Sequence, residues 1–244
     1  MGAVLIIGGY GGIGEALTRR LTAADRSVII AGRSLDKAQA LAHDCGQKAM
    51  AWDARDETAW QQAMEELDAE GTALDAVVNL CGSILLKPLA STSLSELRET
   101  LDQNLVTAFL SIKFGAPRLA EVGGGSLVLM SSVAARYGLV NHEAIAAAKA
   151  AVEGLVVASA ASFAAKNVRI NAVAPGLVET PLSHRFVSSE EGKKASSLLH
   201  PLGRIGQPVD IACVVSMLLD PDCSWMTGQV LAVDGGMSHV KSRR

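Results

Sequence analysis

Several side chains of the types that move protons or hold developing charge fall in one stretch of this chain. Ser132, Tyr137, His142 and Lys149 bring a hydroxyl, a phenol, an imidazole and an amine into the segment between Ser131 and Lys149. A serine hydroxyl can hydrogen-bond an oxygen on which charge builds, and an imidazole titrates near neutral pH and can donate a proton. His142 stands three residues before Ile145 and seven before Lys149. That spacing puts all three on one helical face, provided the helix includes His142. Asn104 lies inside Leu94 to Ala120, which reads as one long helix. An asparagine amide competes there with the backbone ladder, so it is either a satisfied polar group or a local kink beside a site.

The elements that must position these groups alternate between strand and helix. Ala3 to Ile7 is a short apolar run followed by Gly8-Gly-Tyr-Gly-Gly12-Ile13-Gly14 and then by a helical pattern from Glu15. Strand, glycine turn, helix is the arrangement in which backbone without Cβ lets a phosphate approach a helix N-terminus; the alternative is a turn that only packs helix on strand. The second strand, Ser27 to Ala31, ends in Gly32-Arg33-Ser34. No acid stands there to accept from a ribose 2′-hydroxyl, whereas Arg33 suits a 2′-phosphate, so NADP(H) is predicted over NAD(H), an exposed surface arginine being the alternative. A third strand, Lys48 to Trp52, ends in Asp53, a partner for an adenine amino group or a strand-end cap.

A helix from Thr58 to Glu70 leads into a buried strand from Leu74 that ends at Asn79 and Gly82, and a fifth strand, Ser126 to Met130, delivers Ser131 and Ser132 at its carboxyl end. Ligands of open α/β sheets sit at those ends. The alternation predicts the α/β class, a single Rossmann-type doubly wound parallel sheet with helices on both faces. At 244 residues one domain over 1–244 is expected.

Composition narrows the function classes. The chain is 49% hydrophobic but only 4% aromatic, so its apolar content is Ala, Val, Leu and Ile. A net charge of −3 with interspersed charges excludes a nucleic-acid footprint. Cys45, Cys81, Cys213 and Cys223 form no Cys-x-x-Cys pair, so no metal site or disulfide framework is expected and reduced thiols in the cytoplasm fit. No signal peptide is read at the start, and no uninterrupted apolar run reaches the ~18 residues of a membrane span. The basic tail Lys241, Arg243, Arg244 reads as a solvated end.

Taken together, these motifs resemble the short-chain dehydrogenase/reductase family over essentially the whole chain. Gly8, Gly12, Ile13 and Gly14 match its cofactor turn, with Ile7 where many members have Thr; Asn79-Leu-Cys-Gly82 is similar to its Asn-Asn-Ala-Gly; Asn104 falls at its helix asparagine and Ser132 at its catalytic serine. The segment Arg169 to Thr180, with Pro175, Gly176 and Thr180, matches the Pro-Gly segment beside the nicotinamide, and Gly228 to Gly236 resembles the last strand.

The resemblance implies a proton-donating tyrosine four residues before Lys149, a lysine that binds the nicotinamide ribose, a serine that polarises a carbonyl, and an asparagine that supports a water relay. Position 145 is isoleucine. General acid catalysis is worth ~10² to 10⁴ in rate, so the proton must come from His142, from Tyr137, or from water while Ser132 stabilises an enolate. The resemblance further implies a homo-oligomer, dimer or tetramer, formed through the Ala-rich helix from His142 to Lys166 and the Asn104 helix, and a substrate lid over 183–207. In that lid Arg185, Lys193 and Lys194 are cations that could meet an acidic thioester carrier or simply face solvent. An NADP(H)-dependent oxidoreductase of an enoyl or keto group is the expected function. A cofactor-binding protein without turnover and a non-redox enzyme on the same scaffold are the alternatives.

Overall fold

The computed structural model describes residues 2–241; Arg243 and Arg244 of the basic tail lie outside them. Seven strands form one sheet in the order β3-β2-β1-β4-β5-β6-β7, and every neighbouring pair is parallel. In chain order, β1 (Ala3–Ile7) leads to α1 (Gly12–Thr22), β2 (Val28–Gly32) to α2 (Leu35–Cys45), and β3 (Lys48–Ala51) to α3 (Glu57–Ala69). After β4 (Leu74–Asn79) come α4 (Leu94–Leu101) and α5 (Thr107–Glu121), then β5 (Gly125–Met130), α6 (Glu143–Phe163) and β6 (Val168–Pro175). Two short helices, α7 (His184–Val187) and α8 (Glu190–Leu198), precede α9 (Pro208–Leu219) and the edge strand β7 (Val230–Val233).

The central strands are buried on both faces, which is why they read as continuous apolar runs rather than alternating ones. Leu5, Ile7 and Ile29 face one core with side chains of α3, α5 and α6. Val4, Ile6 and Val28, one residue out of phase, face the other with α1, α2 and α9. Each Leu or Ile fully buried this way contributes roughly 1.5–3 kcal/mol relative to exposure. This is the doubly wound sheet expected from the alternation.

Tight turns aim the strand ends. Gly8 has φ +80°, and a Cβ on Gly14 would sit 2.4 Å from the Gly8 carbonyl oxygen, so helix α1 can start this close to β1 only on a glycine. The helix expected over Leu94 to Ala120 is real but irregular: Asp102–Val106 form a π-turn between α4 and α5. The long helix begins one residue later than read. His142 is its N-cap, outside the helix, because Asn141 before it takes a left-handed conformation with φ +63°. By length and composition α6 with its continuation to Lys166 could cross a membrane, but in this fold it lies along the sheet with Val152 and Val156 in the core.

Candidate active site

A cavity of about 500 Å³ opens at the carboxyl ends of the strands. The sequence-predicted Asn104, Ser132, His142 and Lys149 all line it, together with Ile145. Its glycine-turn and loop side is closed by Ile13, Gly82, Pro175, Gly176 and Thr180. Most of the remaining wall is apolar, including Leu139, Leu182 and Phe186.

Each polar group is anchored by the element that carries it. Ser132 follows β5 in extended conformation, and its Oγ accepts the Ala134 N–H at 3.2 Å, so its proton stays available. Lys149 is 6% exposed on α6 and donates from Nζ to the Met130 carbonyl at 2.8 Å. Burial lowers its pKa to about 8. Asn104 explains the π-turn around it. Its Nδ2 donates to the Thr100 carbonyl at 2.9 Å and to Ser83 Oγ at 3.1 Å, while Oδ1 accepts the Ser83 N–H at 3.3 Å. The irregular turn thus lets one amide pin the loop after β4 to the helix. Gly82 is required beside it, since a Cβ there would lie 2.8 Å from Asn104 Oδ1.

His142 is partly exposed and its Nδ1 lies 2.8 Å from the Val140 carbonyl oxygen. A carbonyl only accepts, so Nδ1 carries the proton and Nε2 takes a proton in the neutral ring or gives one from the imidazolium. Tyr137 does not line this cavity. It faces a separate hollow of about 200 Å³ that also touches Ser132.

The remaining predicted residues lie on the adjoining glycine-turn side. Asn79 is buried beneath the surface: Nδ2 donates to Ser111 Oγ at 2.9 Å and Oδ1 accepts the Cys81 N–H at 2.7 Å, so it shapes the turn that carries Cys81 and Gly82. Burial pushes the Cys81 thiol up to about 12, which keeps it protonated. Gly12 packs against the Pro-Gly segment, where its Cβ would meet Thr180 Cγ2 at 3.0 Å. Asp53 is gripped by Arg55, Nη2 to Oδ2 at 2.7 Å, and those hydrogen bonds hold its carboxyl below the usual carboxylate range. Arg33 is exposed at the end of β2 and makes no ion pair among the described residues.

Three supporting arrangements escaped the sequence reading. Ser131 Oγ donates to Glu153 Oε1 at 2.9 Å, and Arg136 Nε bonds the other oxygen at 2.5 Å, tying the segment around Ser132 to α6. His200, 1% exposed, bridges the Leu177 N–H and the Ser196 carbonyl. Tyr10 reaches from the glycine turn to Ser34. Of these, only an aromatic residue set among glycines was a signal visible in the sequence. No cluster of His, Cys, Asp or Glu able to hold a metal occurs among the described residues.

A parallel sheet in this order with a glycine turn after its first strand defines a dinucleotide-binding α/β protein. The family model described as enoyl-(acyl carrier protein) reductase matches residues 8–238, and the chain belongs to the short-chain dehydrogenase/reductase family. It is 35% identical over 239 residues to cyclohexanol dehydrogenase of Acinetobacter sp. strain SE19, covering 95% of this chain and 92% of that one. It is 33% identical to 3-oxoacyl-acyl-carrier-protein reductase of Aquifex aeolicus strain VF5, with 96% of each chain covered. The solved structure of ElxO with NADP bound superposes with a TM-score of 0.89 at 28% identity, covering 97% of this chain and 98% of that one.

Proposed function

We propose that this protein is an NADP(H)-dependent oxidoreductase that interconverts an apolar ketone and its secondary alcohol, with His142 as the proton-transfer group. The observation that carries the reading is that Ser132, Lys149, Asn104 and His142 share one apolar cavity at the strand ends. The chain's own residues fit a dinucleotide: the Gly8 turn opens onto the α1 N-terminus, Gly12 brings backbone without a Cβ up against Thr180, and Arg33, exposed and without an ion pair among the described residues, stands where a 2′-phosphate would sit. NADP in the ElxO structure supports the same cofactor, with NAD(H) as the alternative. Gly8, Gly12, Ile13 and Gly14 would hold the pyrophosphate with Thr180. Gly82, Pro175 and Gly176 would flank the nicotinamide, with Asn79 setting the turn beneath and Asp53 near the adenine.

A bound nicotinamide supplies or takes the hydride. Ser132 hydrogen-bonds the substrate oxygen, and Lys149 binds ribose hydroxyls and adds positive charge in a dry site. Neutral His142 accepts the alcohol proton at Nε2, and the imidazolium returns it to the ketone oxygen. Ile145 stands where the family resemblance implies a tyrosine, and it lines the cavity as an apolar wall.

Segment 183–207 acts as the lid, through Phe186, Ala195 and Leu199 on the cavity wall. An acidic thioester carrier is a weaker fit, because Lys193 is paired with Glu179 and Arg185 donates to the Ile84 carbonyl. Enoyl reduction with Ser132 holding the enolate is the alternative chemistry. A homo-oligomer fits the exposed Phe109 of α5 and Val157 of α6, and a cytoplasmic setting fits four free thiols.

The test is NADPH oxidation at 340 nm, with the reverse reaction under NADP, against ketones, cycloalkanols, β-ketoacyl thioesters and trans-2-enoyl thioesters, alongside direct cofactor titration. Turnover on ketones or cycloalkanols supports the reading. Tight NADPH binding without turnover across the panel points instead to a sensor or a silent partner subunit. Substrate conversion with no change in the cofactor points to a non-redox enzyme.

A further inference from the structure

A phosphate-binding turn has no need of a tyrosine, yet Tyr10 stands between Gly9 and Gly11. Its ring leaves the turn and lies on the end of β2, so that a Cβ on Gly32 would come within 2.4 Å of Tyr10 Cε1 and 2.9 Å of its hydroxyl oxygen. The same hydroxyl accepts the Ser34 N–H at 3.0 Å. Both neighbours of Arg33 are therefore held by one side chain. Arg19, Arg26, Arg55, Arg118, Arg136 and Arg204 each bind a carboxylate. Arg33 has no such partner among the described residues and is exposed.

A phenol oxygen that accepts from Ser34 still has its one proton to give, and that proton can turn to an anionic acceptor. We propose that Tyr10 is a direct ligand of a phosphate monoester on the adenosine ribose, donating its O–H to a phosphate oxygen while Arg33 supplies the positive charge. The proposal rests on the NADP(H) reading above and adds a residue to it. Tyr10 and Arg33 divide the work: the guanidinium attracts the charge, and the phenol fixes its position from a ring already seated on Gly32. Because that ring is packed before ligand arrives, little ordering cost remains to be met on binding. Gly32 belongs to the same device, since any side chain at 32 would push the ring off its seat.

The test is direct titration of the purified full-length protein with NADPH and with NADH, following reduced-nicotinamide fluorescence, with thermal melts showing that each variant is folded. Tyr10→Phe keeps the ring but removes the proton, and is expected to raise the Kd for NADPH at least ~10-fold while changing that for NADH less than ~2-fold, as for loss of one charge-assisted hydrogen bond. Gly32→Ala is expected to give the same selective loss, and Tyr10→Phe added to it to give no further loss. Arg33→Ala should erase the preference for NADPH by itself. An unchanged NADPH to NADH ratio in Tyr10→Phe, with Arg33→Ala still erasing it, would reduce Tyr10 to a packing residue and overturn the proposal alone. Equal binding of both cofactors by the wild type would overturn the proposal and the NADP(H) reading together.

Discussion

The Lys149 ammonium donates to the Met130 carbonyl across 2.8 Å, joining helix α6 to the end of strand β5. It is almost wholly buried and has no carboxylate within salt-bridge distance among the described residues. The folded protein therefore releases the lysine proton near pH 8, whereas an unfolded lysine holds it to about 10.5. Between those values the unfolded chain binds more protons, so stability rises with pH in that window, by up to ~3 kcal/mol from this group. Urea unfolding of wild type and Lys149→Met from pH 7.5 to 10 isolates it: the difference between the two should change with pH, and parallel curves would refute the assignment.

The same ionisation bears on binding. If Lys149 holds the ribose as proposed, it does so most strongly while charged, so the affinity for NADPH is expected to fall as pH rises through about 8, and the fall should be absent in Lys149→Met. Fluorescence titration at each pH reads it directly.

Gly82 leaves no room for a side chain, with Asn104 Oδ1 at 2.8 Å and Lys149 Nζ at 3.4 Å from where a Cβ would stand. Gly82→Ala should push Asn104 off Ser83, lower turnover at least ~10-fold and cost about 1–3 kcal/mol as an overpacked site. Unfolding midpoints and steady-state rates check both. Wild-type values in the two would mean the loop yields freely.

His142→Ala should lower turnover at least ~10-fold with little change in NADPH affinity, the pattern left when only a proton-transfer group is removed. An unchanged rate would take His142 out of the mechanism.

Ile145 is 4% exposed and lines the cavity with Lys149 and Ser132. Ile145→Tyr should raise ketone reduction by ~10-fold or more if the rest of the site is intact. No gain would mean that the pocket shape, not only its proton donor, has changed.

The strands and the glycine turn were legible in the sequence because strands covered on both faces must be apolar throughout, as Ala3–Ile7 and Val28–Gly32 are. Asn104 was legible as an irregularity because a buried amide inside a helix needs a local reason, which the π-turn supplies. The start of α6 was misplaced by one residue because His142 makes no side-chain cap bond and the break comes from the backbone of Asn141. Contacts between distant segments were invisible. Ser131 meets Glu153, Tyr10 meets Ser34, and His200 meets Leu177 only after the sheet has brought them together. Pairings of that kind are set by topology, not by any local pattern.

The last helix and the first share one core: Ile211, Val215 and Leu218 of α9 pack with Leu17 and Leu21 of α1, beneath Val4 and Ile6. On the ribosome the early elements therefore wait for the late ones. At typical elongation rates roughly 10 to 40 s separate synthesis of the two helices, and through that interval the part of this face that α9 will cover stays wet and adhesive. The order of strands that opens the cavity also makes this chain dependent on whatever shields newly made apolar surface, and a chain stalled before Pro208 would be expected to aggregate and not to retain partial function.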